Sequence, residues 1–294
     1  MKKKIIRFFR KIITRISPLL ASKIMYRVKM HKKLNIKKPE TFNEKISFLK
    51  LYNYPYDNRI IDCTDKYKVR NYIKSKGLEK ILVKLYGCWD SVEKIDFNEL
   101  PKSFVLKCNH GCGYNILCKD KKNLNIKEIK EKLNSWLKED FSLVSGEPHY
   151  KRIQRRIICE EYLEDEILDY KFFCFNGNPE FFYIAQNVEG DFHNMQSDFF
   201  YCDGTLADFY RTDHKRFEKL PKIPSNLDEM IKISRKLSED FEFVRVDLFN
   251  VNGKIYFSEL TFSPCSGFMP ISPENIDLKY GKMIDLKLDK KETK

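Results

Sequence analysis

No stretch of about eighteen apolar residues occurs in the 294-residue chain, which leaves no candidate for a membrane-spanning helix. The N-terminus lacks an uninterrupted secretory apolar region, because Arg7, Arg10, Lys11 and Arg15 break it every few residues. The GKS/T pattern of a P-loop is missing, and no Ser-His-Asp or Cys-His triad stands out. Internal repeats and low-complexity linkers are absent as well. Nine cysteines, an odd number scattered through apolar runs, fit reduced thiols in a cytosolic protein better than a disulfide framework. Acidic residues are missing from Lys2 to Lys38, where fourteen of the 55 basic residues fall. The remainder holds 41 basic against 42 acidic residues, so the net charge of +13 belongs to the N-terminal segment. The nearly neutral body gives no reason to expect nucleic-acid binding.

At 42% hydrophobic and 14% aromatic the chain can bury a sizeable core as one large domain or two lobes. Residues 2 to 16, KKKIIRFFRKIITRI, place Ile5, Phe9, Ile12 and Ile16 on one helical stripe, with charges on the other side. A basic amphipathic helix of this kind either lies on an anionic leaflet or packs its stripe on its own protein. The uncompensated charge favours the anionic membrane surface, or an acidic partner.

Thr41 to Glu44 opens a helix through Leu51 with capping residues at its start, and Asp62 to Lys76 reads as a further helix stopped by Gly77. Ile81 to Tyr86 reads as a short strand. In SFVLKCNHGCGYNILCKD, a strand ends in Lys107, a loop follows from Asn109 to Gly113, and a second strand returns at Tyr114. Such a glycine loop lets backbone amides approach phosphate oxygens beside a lysine. Cys108, His110, Cys112 and Cys118 are an alternative zinc set, at a spacing that departs from usual zinc pairs. Asn125 to Glu139 reads as a helix, Phe141 to Arg156 as a surface crossing, and Ile157 to Leu163 as a strand ending in Glu160 and Glu161. Asp169 to Phe175 and Phe181 to Gln186 form a hairpin about Asn176-Gly177, and Leu227 to Leu237 a helix. His193 and His214 lie in an aromatic-polar segment and read as loop residues or as substrate contacts.

The most informative stretch is FVRVDLFNVNGKIYFSELTF, residues 243 to 262, two strands around Asn252-Gly253. A tight two-residue turn alone would set Asp247 opposite Ser258 and turn Glu259 to the other face. A three-residue loop, or an equivalent bulge, pairs Asp247 with Glu259 instead. We expect that second register, because it joins two carboxylates suited to Mg²⁺, with Arg245 on the same face for a phosphate or oxyanion.

These pieces together resemble the ATP-grasp superfamily, most closely its TupA-like (teichuronopeptide-biosynthesis-like) branch. The resemblance covers roughly Lys38 to Gly281 and rests on KKPETFNEKISFLKLY, DKYKVR, GCWDSVEKIDFNELPKSFVLKCNHGCGYNI, ICEEYLEDE, DYKFFCFNG and FVRVDLFNVNGKIYFSELTFSP in order. It implies an α+β fold with a nucleotide held between the antiparallel sheets of two lobes. The expected division is a basic membrane-surface segment at 1–38, an N-terminal subdomain at 39–100, a lid lobe at 101–163, and a metal-binding and acceptor lobe at 164–294. Lys66 and Lys107 match the family's nucleotide lysines, and Asn109, His110, Gly111 and Gly113 its mobile lid. Glu160, Glu161, Tyr162 and Leu163 resemble the adenine hinge. Asp169 matches a ribose ligand, and Lys171 an extra phosphate contact. Asp247 and Glu259 match the metal carboxylates, with Thr261 where the family carries asparagine, which makes one Mg²⁺ the safer inference than two. Arg245 would contact the transferred phosphate, and Ser263 to Gly267 the acceptor.

The resemblance implies an ATP- and Mg²⁺-dependent carboxylate–amine ligase of surface polysaccharide assembly. Its partners would be a polysaccharide or lipid-linked sugar precursor and an amino compound. The expected location is cytoplasmic, peripheral at the inner face of the cell membrane. A glycosyltransferase using a nucleotide sugar, a non-catalytic nucleotide-binding scaffold and a phosphotransferase are the other readings.

Overall fold

The computed structural model describes residues 2–163, 167–187 and 195–286. His193 and the expected frayed tail beyond 286 lie outside these residues.

Two antiparallel sheets carry the fold. The smaller has four strands, β1 (Leu85–Trp89), β2 (Phe104–Cys108), β3 (Asn115–Cys118) and β4 (Ile157–Glu161), in the order β1-β4-β2-β3. Its first strand comes from ahead of residue 101. The larger sheet is built from β5 (Asp169–Phe175), β6 (Asn178–Asn187), β7 (Met195–Tyr201), β9 (Phe243–Val251) and β10 (Lys254–Thr261), in the order β10-β9-β5-β6-β7. The remaining short strands, β8 (Tyr210–Arg211) and β11 (Ile271–Ser272), pair with each other.

Helices α1 (Lys2–Ile16) and α2 (Pro18–Met30) precede α3 (Phe42–Tyr52), whose start is a capping box between Thr41 and Glu44. The expected single helix at 62–76 is two, α4 (Asn58–Thr64) and α5 (Val69–Ser75). The break is made by Asp65, whose buried carboxylate accepts from the backbone N–H groups of Tyr67 and Lys68 and from Asn109 Nδ2. A side chain that satisfies the next turn's amides replaces the helical ladder there. Ile46, Leu49, Ile60, Val69 and Ile73 bury into the larger sheet's core.

In the lid lobe, α6 (Ile126–Lys138) packs Ile129 and Leu133 on the small sheet, followed by α7 (Phe141–Ser145). The stretch from Phe141 to Arg156 is no surface crossing: Val144, Glu147, His149 and Ile153 are buried. Helix α8 (Leu227–Ser238) covers one face of the larger sheet with Met230, Ile233 and Leu237 against Val244, Val246 and Leu248. The opposite face changes character along its strands. Phe173, Phe175, Phe181 and Phe243 meet Phe42 of α3 and Tyr280 of α9 (Asn275–Gly281) at one end. Charged residues occupy the other end.

Candidate active site

The charged end of that face is assembled by register. Glu259, Asp247, Lys171 and Tyr183 stand in one row across β10, β9, β5 and β6, and Thr261 and Arg245 in the next. The pairing of Asp247 with Glu259 comes from a bulge between Phe257 and Glu259, while the turn itself is the tight Asn252-Gly253 type. Both turn residues have positive φ, 52° and 82°, which asparagine and glycine tolerate best. One extra residue at the bulge restores the face that a two-residue turn would have reversed.

Asp247 is fully buried and accepts from both neighbouring cations. Lys171 Nζ donates to Oδ2 at 2.6 Å, and Arg245 Nε and Nη2 reach Oδ1 and Oδ2 at 2.7 and 2.6 Å. Arg245 Nη2 also lies 3.0 Å from Thr261 Oγ1 and 3.4 Å from Glu259 Oε1. Lys66 Nζ donates to the Gly111 carbonyl at 2.8 Å and stands 3.6 Å from Glu259 Oε2. That one lysine joins the loop of the small sheet to a carboxylate of the larger one. Burial pushes the Glu259 carboxyl up, but Lys66, Lys171 and Arg245 outweigh it and hold it down at about 2. Burial would depress the Lys171 ammonium; Asp169 and Asp247 instead hold it above its ordinary value.

A second cluster sits where the two sheets approach. Lys107 Nζ donates to Glu160 Oε2 at 2.8 Å, and Arg70 Nη1 to Oε1 at 3.1 Å. With Lys66, Phe257 and Ser258 these residues line a narrow cleft of about 10 Å³.

The profile of the TupA-like ATPgrasp family matches residues 44–285. The chain belongs to the TupA-like ATP-grasp family. No curated protein matches it. Among solved structures it is similar to a D-alanine–D-alanine ligase from Bacillus anthracis complexed with ATP, at 16% identity over 69% of this chain and 57% of that one, TM-score 0.44. An L-amino acid ligase from Bacillus licheniformis is 13% identical over 74% and 47%, TM-score 0.46. A D-alanine–D-alanine ligase from Helicobacter pylori is 16% identical over 83% and 69%, TM-score 0.42. The chain spans about half the length of the first two.

In this TupA-like ATP-grasp chain Lys66, Lys107 and Glu160 line the cleft, and Asp169, Lys171, Arg245, Asp247, Glu259 and Thr261 form the charged cluster of the larger sheet, which Lys66 also reaches. Glu161, Tyr162 and Leu163 follow at the half-buried end of β4. Two of the expected lid residues turn their side chains inward. The Asn109 side chain is buried, bonded to Asp65, the Gln154 carbonyl and the Arg156 N–H. His110 is buried with Nε2 on the Trp136 carbonyl, and burial pushes its imidazole down to about 4. Their side chains hold the loop to its lobe, and the loop meets the cleft residue Lys66 through the Gly111 carbonyl. At Gly111 a Cβ would lie 2.7 Å from the Tyr114 ring, so glycine is needed for this close approach.

The zinc alternative fails on direction. Cys108 packs in the small sheet's core, His110 faces Trp136, Cys118 Sγ lies 3.9 Å from the Lys102 carbonyl, and Cys112 is exposed. Among the described residues no three or more His, Cys, Asp or Glu side chains converge for a metal. Asp247 and Glu259 with the Thr261 hydroxyl fit a Mg²⁺ that takes its remaining ligands from phosphate oxygens. Arg245 Nη2 lies between the two carboxylates, so it must give way to such an ion.

Sequence reasoning missed Arg70, although it lies in the quoted DKYKVR, and Arg211. Arg211 is buried on β8, paired with Asp213 at 2.8 and 2.9 Å, and its Nη1 lies 3.5 Å from the Tyr183 hydroxyl that Arg245 Nη1 also approaches at 3.5 Å. Arg211 Nη2 is 3.2 Å from the sulfur of exposed Cys265, in the loop 263–267. That loop is tied to Glu147 by the Ser263 and Ser266 hydroxyls, and to Lys50 by the Ser266 carbonyl. His214 bonds Ser197 at 2.8 Å, and burial pushes it down to about 4.

Asp169 pairs with Lys171, while its buried Oδ1 has no partner, as a ligand hydroxyl would require. Burial pushes its carboxyl up to about 6 despite Lys171. A raised acid favours the protonated folded state. Its contribution to stability is therefore present at low pH and lost as pH rises through about 6. Relative to wild type, Asp169→Asn is expected to gain in melting temperature between pH 4 and 7; a constant difference across that range would show no raised carboxyl.

Proposed function

We propose that this TupA-like ATP-grasp protein is an ATP-dependent carboxylate–amine ligase acting through an acyl phosphate. Its substrate would be a surface polysaccharide or lipid-linked sugar precursor bearing a carboxylate, such as a uronic acid, joined to an amino compound. The observation that carries the nucleotide part is Lys66, held between the Gly111 carbonyl and Glu259, which itself faces Asp247. Lys66, from the turn between α4 and α5, thus joins the small sheet's loop to the carboxylates of the larger sheet, where a triphosphate and its metal would lie. The substrate class follows the resemblance to the teichuronopeptide-biosynthesis-like branch. Lipid-linked sugars are presented at the inner face of the cell membrane, which sets the reaction there.

A carboxylate is a poor electrophile. In the proposed reaction its oxygen attacks the γ-phosphorus, the bond to the β-phosphate breaks and ADP leaves. The amine then attacks the acyl carbon, expelling inorganic phosphate and a proton. Mg²⁺, held by Asp247, Glu259 and Thr261, would supply charge neutralisation on the phosphates. Lys66 and Lys107 would bind the phosphates, and Arg245 and Lys171 would take up charge on the transferred group. Asp169 would accept from the ribose, and the end of β4 from Glu160 to Leu163 would receive the base. Because the cleft is far smaller than the roughly 300–1,000 Å³ of a ligand pocket, the lobes would part on binding.

Hydroxylamine, a small amine, tests the chemistry. With ATP, Mg²⁺ and a uronic acid oligosaccharide, the reading calls for hydroxamate and ADP in equal amounts. Phosphorylated sugar without hydroxamate would mean a phosphotransferase, and release of nucleoside diphosphate from a nucleotide sugar would mean glycosyl transfer.

A further inference from the structure

Half of the strongly exposed large apolar side chains, eight of sixteen among the described residues, lie between Ile6 and Val28. On α1 they include Phe9, Ile12 and Ile16, and on α2 Leu20, Ile24 and Val28, at helical spacing of three or four. The opposite side of α1 holds the protein. Arg7 and Lys11 both pair with Glu139, and Thr14 is buried. On α2, Ala21, Ser22 and Tyr26 turn inward, Tyr26 against Phe268. α1 is therefore reversed from the usual arrangement, in which the apolar stripe faces the core, and α2 carries apolar side chains on its outward as well as its inward side.

We propose that this α1–α2 face docks on an anionic lipid bilayer. Between Lys2 and Lys38 there are fourteen basic and no acidic residues, and with Arg7 and Lys11 held by Glu139 the excess still matches a negatively charged surface. Exposed Arg15, Lys23, Arg27 and Lys29 stand beside the apolar side chains. The same charge repels a second copy of the face. Among the described residues no helix is long and apolar enough to cross a membrane, so the pair lies in the interface with its apolar side chains inserted. The sequence suggested such a surface only through residue 16, and α2 extends it to Val28. This inference stands apart from the nucleotide site.

Full-length protein is sedimented with vesicles of phosphatidylcholine alone or with about one third phosphatidylglycerol. Binding is expected to the anionic vesicles, weakened by salt, and little to the neutral ones. Two variants probe the helices separately: Phe9→Gln with Ile12→Gln and Ile16→Gln, and Leu20→Gln with Ile24→Gln and Val28→Gln. Each should lower partitioning about tenfold or more with an unchanged melting temperature, since the side chains are exposed. Equal binding to both vesicles, no binding to either, or wild-type binding by the α2 variant would overturn the proposal. So would a dimer in solution that both variants dissociate.

Discussion

Asp247→Asn should cut nucleotide-dependent turnover by about 10³-fold or more while leaving a folded protein. The carboxylate is fully buried, accepts from Lys171 and from Nε and Nη2 of Arg245, and faces Glu259. Asparagine preserves shape and one acceptor but removes the negative charge on which two cations converge. A buried charge cluster that loses a partner is destabilised by roughly 3 kcal/mol, so the melting temperature should fall as well. Far-UV circular dichroism and a cooperative melt separate that loss from unfolding. ADP release then reads the chemistry, and near-wild-type turnover in a folded variant would remove Asp247 from the site.

Lys66→Ala is the second large effect, expected at about 10²- to 10³-fold in turnover with weakened nucleotide binding. Its ammonium bonds the Gly111 loop and approaches a carboxylate of the larger sheet. Lys66→Arg should recover little, because a planar guanidinium does not replace a compact ammonium between a carbonyl and a carboxylate. A Lys66→Ala protein that binds and turns over as wild type would mean that the phosphates lie elsewhere. Lys107→Ala is a useful contrast, since Arg70 remains on Glu160 to hold that side of the cleft.

The acidic hairpin was the most legible part of the sequence. The need to bring Asp247 and Glu259 together selected the right pairing, although the bulge, and not a longer loop, delivers it. Helix starts at Thr41 and Asn125 were readable because capping is local. The break at Asp65 was not, for although its contacts to the Tyr67 and Lys68 amides are local, the Asn109 that fixes the carboxylate arrives from another lobe. For the same reason the loop 109–113 read as all lid, whereas Asn109 and His110 spend their side chains inside. Arg70 and Arg211 became visible only when distant strands met. In α1 the period gave the apolar stripe but not its direction; Glu139 decides that by holding Arg7 and Lys11.

The central claim is that the cleft between the two sheets binds an adenine nucleotide with magnesium. Its most direct test is the melting temperature of the purified protein with Mg-ATP, Mg-ADP and a panel of uridine- and guanosine-diphosphate sugars, with Asp247→Asn as control. At about one hundred times its dissociation constant a ligand adds roughly 2.7 kcal/mol to stability, several degrees for a chain of this size. The account predicts that shift with the adenine nucleotides alone, and its loss in Asp247→Asn. A shift with the nucleotide sugars alone, or with none of the ligands, would contradict it.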